Sequence, residues 1–287
     1  SVLALLVDYV DRKIGPSRKR AAEWTALKHF TEFFEMTGVL LVSDITLDLQ
    51  EQYIDWRRWC LREQGFKGSN GSINRELTVL KAALSDARKR GRLTNPPYIK
   101  SLPKPPPRER FLTKAEFRQL IDACTEEHLY RFVMLAAHTL QRPGALFDLR
   151  VEQVDLERHR INFLPPELAQ TTKRRPVVPI TATLAPILCE AIDDSLSGYV
   201  LEYLGRPLRS VKRAFATACR HADLEGVTPY TLRHTGATLL AAEGVPMRQI
   251  AGMLGHTVQK TTEIYAKHHP DFLSDAATAL DEVFGTH

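Results

Sequence analysis

Six prolines lie between positions 96 and 107, and a helix cannot continue through such a segment. Proline has no amide hydrogen and its ring collides with the preceding turn, so this stretch is expected to be an extended, semi-rigid linker. We therefore predict that the 287 residues form a first domain at 1–92, a linker at 93–112 and a second domain at 113–287. A chain of this length is suited to one large domain or to two of medium size.

The first domain, 1–92, has the apolar spacing of amphipathic helices. The segments RAAEWTALKHFTEFFEM and SINRELTVLKAALSDARKRG carry apolar residues every three to four positions. A third segment, DLQEQYIDWRRWCLREQG, follows a good N-cap residue at Thr46 and stops at Gly65. Three or four helices of this length are predicted to pack as a small helical bundle.

The second domain, 113–287, is predicted to be mostly helical with one small sheet. It opens with a capping-box pattern, in which Thr113 is followed three residues later by Glu116. HRINFL and RPVVPI are predicted strands, and the polar PPELAQTTKR between them predicts a hairpin. The expected fold class is therefore mainly α with a small antiparallel β-sheet.

Basic residues are concentrated around the linker. The formal net charge is +5 and the isoelectric point is about 9.0, which favour an anionic partner such as nucleic acid or an acidic membrane surface. A mildly basic protein without such a partner, or a merely solvated linker, is the alternative. The cations that we predict to contact the backbone of double-stranded DNA are Lys81, Arg88, Lys89, Arg90, Arg108 and Arg110.

Membrane and metal-binding classes are disfavoured by the sequence. No apolar run approaches the roughly 18 residues of a membrane span, and the opening SVLALLVDYVDRK is predicted to be an amphipathic helix, not a signal peptide. Cys60, Cys124, Cys189 and Cys219 are far apart and form no C-x-x-C pair. We expect reduced thiols in a cytoplasm-like compartment, no zinc site and no membrane partner.

Two arginines lie at positions that could bring them to one anion. Arg142 lies where a helix must break, because Pro143 and Gly144 follow it. Arg233 falls in the first turns of a helix that Thr228 caps, where the helix dipole gives a cation no stabilisation. Two guanidinium groups could hold both non-bridging oxygens of one phosphodiester, although most arginines are plain surface charges.

The order and spacing of four groups resemble the signature of the tyrosine recombinases, the phage-integrase family. The groups are Arg142, Tyr230-Thr-Leu-Arg233-His234, Leu254-Gly-His256 and Tyr265. His256 follows Arg233 by 23 positions and Tyr265 follows His256 by 9, spacings that match the family. The resemblance runs from about residue 113 to 270, and the helical first domain is similar to the family's SAM-like core-binding domain.

This resemblance implies site-specific DNA recombination through a 3′-phosphotyrosine intermediate, with no metal ion or cofactor. Tyr265 would be the nucleophile, and Arg142 and Arg233 would stabilise the phosphorane charge. His256 would donate a hydrogen bond to the phosphate or manage the tyrosine proton. The family also implies a monomer that assembles as a tetramer on double-stranded DNA, and a prokaryotic, phage or mobile-element origin. The tail helix from Phe272 would join the subunits, unless it packs on its own domain.

Three positions depart from the family pattern. Tyr230 replaces the first histidine of His-x-Leu-Arg-His, and we expect it to bind phosphate because a phenol is a poor base near neutral pH. The family's hairpin lysine, which protonates the leaving 5′ oxygen, falls on Thr172 or Lys173, and we predict Lys173. Ala145 stands where many members carry an acidic residue. His234 is expected to be a buried structural histidine.

Two other functions remain open at this stage. A type IB topoisomerase shares the chemistry but acts on a single duplex. A catalytically impaired, sequence-specific DNA-binding protein would also carry the motif, and Tyr230 together with the uncertain lysine position favours that alternative.

Overall fold

The computed structural model describes residues 1–13, 20–65, 70–104, 110–171, 174–258, 261–269, 271–274, 277, 278 and 280. The chain divides into two compact units, Ser1–Arg108 and Glu109–His287. The finer boundaries expected from the sequence, at 1–92, 93–112 and 113–287, stay a prediction. Within the described ranges no helix is long and apolar enough to cross a membrane.

The first unit is a bundle of four helices in its described part. They are α1 (Val2–Lys13), α2 (Arg20–Thr37), α3 (Leu47–Glu63) and α4 (Asn70–Lys89), with a short 3-10 turn at Val42–Asp44. Thr46 caps α3 as predicted, because its Oγ1 accepts a hydrogen bond from the Leu49 amide at 3.2 Å. Aromatic packing fills the core, where the rings of Phe30 and Tyr53 stack with centroids 4.4 Å apart.

A buried polar network ties three of these helices together. Glu76 on α4 accepts two hydrogen bonds from Arg57 on α3, at 2.8 and 2.9 Å, and one from the Tyr53 hydroxyl at 2.7 Å. His29 on α2 lies 3.0 Å from the same carboxylate. Burial alone would raise the pKa of Glu76, but the bonds from His29, Arg57 and Tyr53 outweigh it and lower the pKa to about 2. Glu76 is therefore an ionised carboxylate in the core of the first unit, where hydrogen bonds from its neighbours stabilise the charge.

The second unit is mainly helical, as predicted. Its described helices are α5 (Lys114–Asp122), α6 (Glu127–Thr139), α7 (Pro143–Phe147), α8 (Leu184–Asp193), α9 (Lys212–His221), α10 (Pro229–Ala242) and α11 (Met247–Leu254), with 3-10 helices at Val151–Gln153 and Glu263–His268. The predicted capping box opens α5: the Glu116 amide donates to Thr113 Oγ1 at 3.1 Å, and the Thr113 amide donates to Glu116 Oε2 at 2.8 Å.

The predicted strands belong to a three-stranded antiparallel sheet. Its order is β1 (Val154–Asp155), β2 (Arg160–Asn162) and β3 (Val177–Pro179). Ile161 pairs with Val178, and both side chains are buried in the core of the unit. The hairpin prediction is thus correct for β2 and β3.

A second, two-stranded antiparallel sheet was not predicted. It consists of β4 (Glu202–Tyr203) and β5 (Arg206–Pro207). The turn between them places Leu204 at φ 51° and Gly205 at φ 70°, the left-handed geometry of a tight hairpin. Leucine rarely adopts that geometry, so the sequence carries only half of the usual turn signal.

Close packing between α10 and the end of α6 positions the site. A Cβ on Gly236 of α10 would lie 2.1 Å from Leu140 Cδ2, so only glycine permits this approach without a shift of Leu140. Leu140 follows α6 in the left-handed conformation, at φ 56°. Its carbonyl thereby comes within reach of the side chains of α10.

Candidate active site

The break that holds Arg142 is fixed by the residues around it. Leu140 ends α6, and Arg142 is the N-cap residue of α7, with Pro143 in its first turn. The side chain of Gln141, between them, is buried and donates a hydrogen bond to the Met253 carbonyl at 2.6 Å. The turn is therefore tied to the end of α11, and Arg142 is half-exposed beside it.

Arg233 is buried in the first turns of α10 and is only 7% exposed. Its Nη1 donates to the Leu140 carbonyl at 2.7 Å, and its Nη2 donates to the Leu254 carbonyl at 2.8 Å and to His256 Nε2 at 3.0 Å. Burial, followed by repulsion from Arg142, lowers the pKa of Arg233 to about 10. The guanidinium is thus still a cation at neutral pH, and none of these partners is an anion.

His256 is held in one tautomer by its two neighbours. Arginine can only donate, so Nε2 accepts the hydrogen bond from Arg233 and the ring proton lies on Nδ1. Nδ1 then donates to Thr262 Oγ1 at 2.9 Å, and Thr262 is completely buried. Burial, with the charges of Arg233 and Arg142, lowers the pKa of His256 to about 4. The imidazole is therefore neutral at pH 7.

The low pKa of His256 is expected to reduce stability in acid. Unfolding restores its ordinary pKa of 6.5, whereas the folded protein protonates it only near pH 4. Between these values the unfolded chain binds more protons, so stability that is present above pH 6.5 is lost as the pH falls. Calorimetry should show a smaller fall in melting temperature over this range for His256→Asn than for the wild type. Equal falls in melting temperature in the two proteins would contradict the lowered pKa of His256.

Tyr265 lies in the 3-10 helix Glu263–His268 and is 4% exposed. Its ring packs in an apolar cluster with Leu140, Ala237, Ala241, Ile250 and Leu254. Its hydroxyl lies 2.8 Å from His234 Nδ1. Burial raises the pKa of Tyr265 and the charge of Arg233 opposes that rise. The ring is therefore anchored in apolar surroundings, whereas its hydroxyl oxygen contacts the polar side chain of His234.

His234 was predicted to be a buried structural histidine, and Thr262 was not predicted to belong to the site. His234 is only half-buried, and its Nδ1 contacts the Tyr265 hydroxyl directly. Burial and the charge of Arg233 lower its pKa. The sequence shows that His234 follows Arg233. Its contact with Tyr265, 31 positions later, arises only from the packing of α10 against the 3-10 helix.

Tyr230 and Lys173 are the two remaining predicted site residues. Tyr230 lies in the first turn of α10 and is 57% exposed. Thr172 and Lys173 lie outside the described residues.

Gly255 lies against the segment that leads into β3. It caps the C-terminus of α11 at φ 65°. A Cβ at this position would lie 2.7 Å from the Arg174 carbonyl oxygen and 2.9 Å from Pro176 Cδ. The Leu254-Gly-His256 motif therefore needs glycine for two reasons, its backbone conformation and the closeness of the neighbouring chain.

Gly255→Ala is expected to destabilise the protein by about 2–4 kcal/mol, because left-handed strain adds to a clash with backbone. Displacement of His256 should also slow DNA cleavage. Gly226→Ala is the matched control, since Gly226 has a similar φ of 68° but no atom within 4 Å of the added Cβ. Denaturant unfolding and cleavage assays compare the two variants. Equal losses of stability and activity would show that the contact with Arg174 is unimportant.

The predicted DNA-contacting cations occupy different environments. Lys81, Arg88, Lys89 and Arg90 are exposed on or just after α4, and Arg90 bonds to Asp86 at 2.9 Å. Arg110 pairs with Glu116 at 2.6 Å, so part of its guanidinium is already committed within its own unit. Arg108 lies outside the described residues. A DNA-contacting role for these residues stays a prediction.

Comparisons with known proteins identify relatives of this chain. The family model described as "Phage integrase family" matches residues 110–271. Tyrosine recombinase XerA of Thermococcus kodakarensis is 32% identical, covering 78% of this chain and 81% of that protein. XerA of Pyrococcus furiosus is 29% identical, covering 93% and 99%. The integrase of Salmonella phage P22 is 26% identical, and the match covers 73% of this chain and 57% of that integrase.

Solved structures share the fold. The Tn1549 transposon integrase, solved with transposon right end DNA, has a TM-score of 0.74 at 17% identity, and the match covers 100% of both chains. A lambda integrase dimer bound to a COC′ core site has a TM-score of 0.69 at 17% identity, covering 92% of this chain and 77% of that one. The chain belongs to the phage integrase family, the tyrosine recombinases, which cleave and rejoin DNA.

Proposed function

We propose that this protein performs site-specific recombination of double-stranded DNA, with Tyr265 as the nucleophile. The observation that carries the proposal is the buried cation of Arg233. Backbone carbonyls hold it between the Arg142 turn and the His256 turn, without an anionic partner among the described residues. A buried, uncompensated charge is costly, and a bound phosphate would supply the missing anion.

The arginine geometry leaves donors for that phosphate. Arginine has five N–H groups, of which Nη2 uses two and Nη1 uses one within the described residues. One Nη1 hydrogen and the Nε hydrogen remain for non-bridging oxygens. Arg142 is close enough to lower the pKa of Arg233, so a phosphate between them would also relieve their repulsion.

Attack by the Tyr265 oxygen on phosphorus would form a 3′-phosphotyrosine and release the 5′ oxygen of the next nucleotide. The energy of the phosphodiester is kept in this bond, so the 5′ hydroxyl of another strand can rejoin the DNA without ATP. We assign the leaving-group proton to Lys173. The neighbouring residues Arg174 and Pro176, which pack against Gly255, support that placement.

His256 and Tyr230 would form further hydrogen bonds to the phosphate. Burial and the charges of Arg233 and Arg142 lower the pKa of His256, and neutralisation of the two charges by phosphate would raise it. The imidazole could then carry a proton toward a non-bridging oxygen in the complex with DNA. Tyr230, exposed on the first turn of the same helix, would add a hydrogen bond from its phenol.

Strand exchange needs two duplexes, so we propose a tetramer that forms on DNA and passes through a Holliday junction. The solved lambda integrase dimer on its core site supports assembly on DNA. The tail from Phe272 would join the subunits: Phe272, Leu273 and Leu280 are exposed, whereas Ala276, Val283 and Phe284 lie outside the described residues.

The proposal is tested with a pool of nicked duplexes of randomised sequence. Cleavage near the nick releases a short fragment that carries the 5′ hydroxyl, and its loss prevents rejoining, so the covalent intermediate accumulates. We expect a covalent protein–DNA adduct on denaturing gels, enrichment of one sequence, and exchange of strands between two duplexes that carry it. Relaxation of supercoiled plasmid without an enriched sequence would instead indicate a topoisomerase. An enriched sequence without adduct would indicate an inactive binding protein.

A further inference from the structure

We propose that His234 is the base that removes the Tyr265 hydroxyl proton during cleavage and returns it during rejoining. This inference rests on the proposed function, because it assigns a base to the nucleophile of that reaction. The contact that carries it is the 2.8 Å distance between Tyr265 Oη and His234 Nδ1, which is within the reach required of a general base.

The surroundings of Tyr265 fix this contact. The ring is enclosed by the apolar side chains that pack α10, α11 and the 3-10 helix together. The centroids of the Tyr265 and His234 rings lie 5.8 Å apart, and the angle between the two ring planes is 53°. With 4% of the residue exposed, bulk water has little access, so a side chain must receive the proton.

The other candidate bases near the site are already committed or too weak. His256 accepts from Arg233 through Nε2 and donates to Thr262 through Nδ1, so neither nitrogen is directed at Tyr265. Tyr230 is a phenol, and a phenol is too weak a base to take a proton from another tyrosine near neutral pH. Among the described residues, His234 is the group in hydrogen-bond contact with the Tyr265 oxygen.

The charge state of His234 suits the role. Burial and the adjacent Arg233 charge lower its pKa, so the imidazole is neutral near pH 7 and Nδ1 can accept the hydroxyl hydrogen. The groups that face it are Arg233 on its own helix, Tyr265 on the 3-10 helix and His256 on the turn after α11. None of the three is an anion that would favour an imidazolium before DNA binds.

Cleavage forms one bond to phosphorus and breaks another. The Oη–P bond forms as the hydroxyl proton moves to Nδ1, which gives an imidazolium. The bond from phosphorus to the 5′ oxygen breaks, and that oxygen takes a proton from the acid that we assign to Lys173. The growing negative charge on the phosphorane offsets the positive charge on His234, so the transfer is favourable only during the reaction. In rejoining, a 5′ oxygen bonds to phosphorus and its proton passes to Lys173, while Oη leaves phosphorus and recovers its proton from His234.

The test uses His234→Asn, because asparagine can accept the tyrosine hydrogen bond but cannot act as a base. His221→Asn, at an exposed position on α9, is the matched control. Single-turnover cleavage is measured on the duplex recovered from the randomised pool and on the same duplex with sulfur in place of the leaving 5′ oxygen. We expect His234→Asn to cleave about 10²–10⁴-fold more slowly on both substrates. Lys173→Ala should recover on the sulfur substrate, because a thiolate leaves without an acid.

The pH profile separates a base from a structural residue. Wild-type cleavage of the sulfur substrate should rise with pH and reach a plateau well below the ordinary tyrosine pKa of 10, whereas His234→Asn should continue to rise into alkali. If His234→Asn matches the wild type in rate and profile, the proposal is wrong. If that variant does not fold, a wild-type rate that rises without a plateau overturns it equally. Adduct formation by Tyr265→Phe would instead refute the proposed function.

Discussion

Arg233→Ala is expected to lower the single-turnover cleavage rate by at least about a thousandfold, because it removes the donors that would stabilise the phosphorane. The side chain combines a phosphate-binding role with a structural one, since it also bonds to the carbonyls of Leu140 and Leu254. Unsatisfied carbonyls should lower the free energy of unfolding by about 1–3 kcal/mol, partly offset by loss of a buried charge. Cleavage and denaturant unfolding are measured on the same preparation.

Two controls make this prediction specific. Arg220→Ala removes an exposed guanidinium from α9 and should cleave at nearly the wild-type rate. Arg233→Lys keeps the charge but loses the planar fork, so it should retain DNA binding and still cleave far more slowly than wild type. If Arg233→Ala remains folded and cleaves within tenfold of wild type, Arg233 does not bind the reacting phosphate.

Tyr265→Phe is expected to abolish the covalent adduct, because it removes the only atom that would bond to phosphorus. The ring and its apolar contacts are kept, so stability should fall by only about 0.5–1.5 kcal/mol for the lost bond to His234. DNA binding, measured by gel shift on the recovered duplex, should be unchanged. The variant therefore separates chemistry from recognition.

Tyr230→Phe is the matched comparison, since it makes the same change on the first turn of α10. We expect it to form the adduct at a rate reduced by no more than about tenfold, the effect of one exposed hydrogen bond to phosphate. An adduct lost in Tyr230→Phe and kept in Tyr265→Phe would reverse the assignment of the two tyrosines.

Much of the framework was predictable from local sequence. The caps at Thr46 and Thr113 and the β2–β3 hairpin depend on neighbouring residues, and all appear as predicted. The spacing of the arginine, histidine and tyrosine motifs identified the family, which the family model confirms. The short β4–β5 pair escaped prediction because Leu204 adopts a conformation that its residue type disfavours.

The contacts within the site could not be predicted. Whether His256 donates or accepts through Nε2 is decided by Arg233 on α10 and Thr262 before the 3-10 helix, two partners that no local pattern connects. The same is true of His234, which follows Arg233 in sequence but contacts Tyr265 only through tertiary packing. Gly255 was recognised as part of a motif, yet its need for glycine comes from the Arg174 carbonyl on another segment.

The most direct test of the central claim is to identify the residue that bonds to DNA. The trapped adduct is digested with nuclease and trypsin, and the nucleotide-bearing peptide is sequenced by mass spectrometry. Trypsin places Tyr265 in the peptide at 261–267 and Tyr230 in the peptide at 221–233, so the two are distinguishable. We predict a nucleotide joined to Tyr265 through its 3′ phosphate. A nucleotide on Tyr230, or on any other residue, would contradict the account.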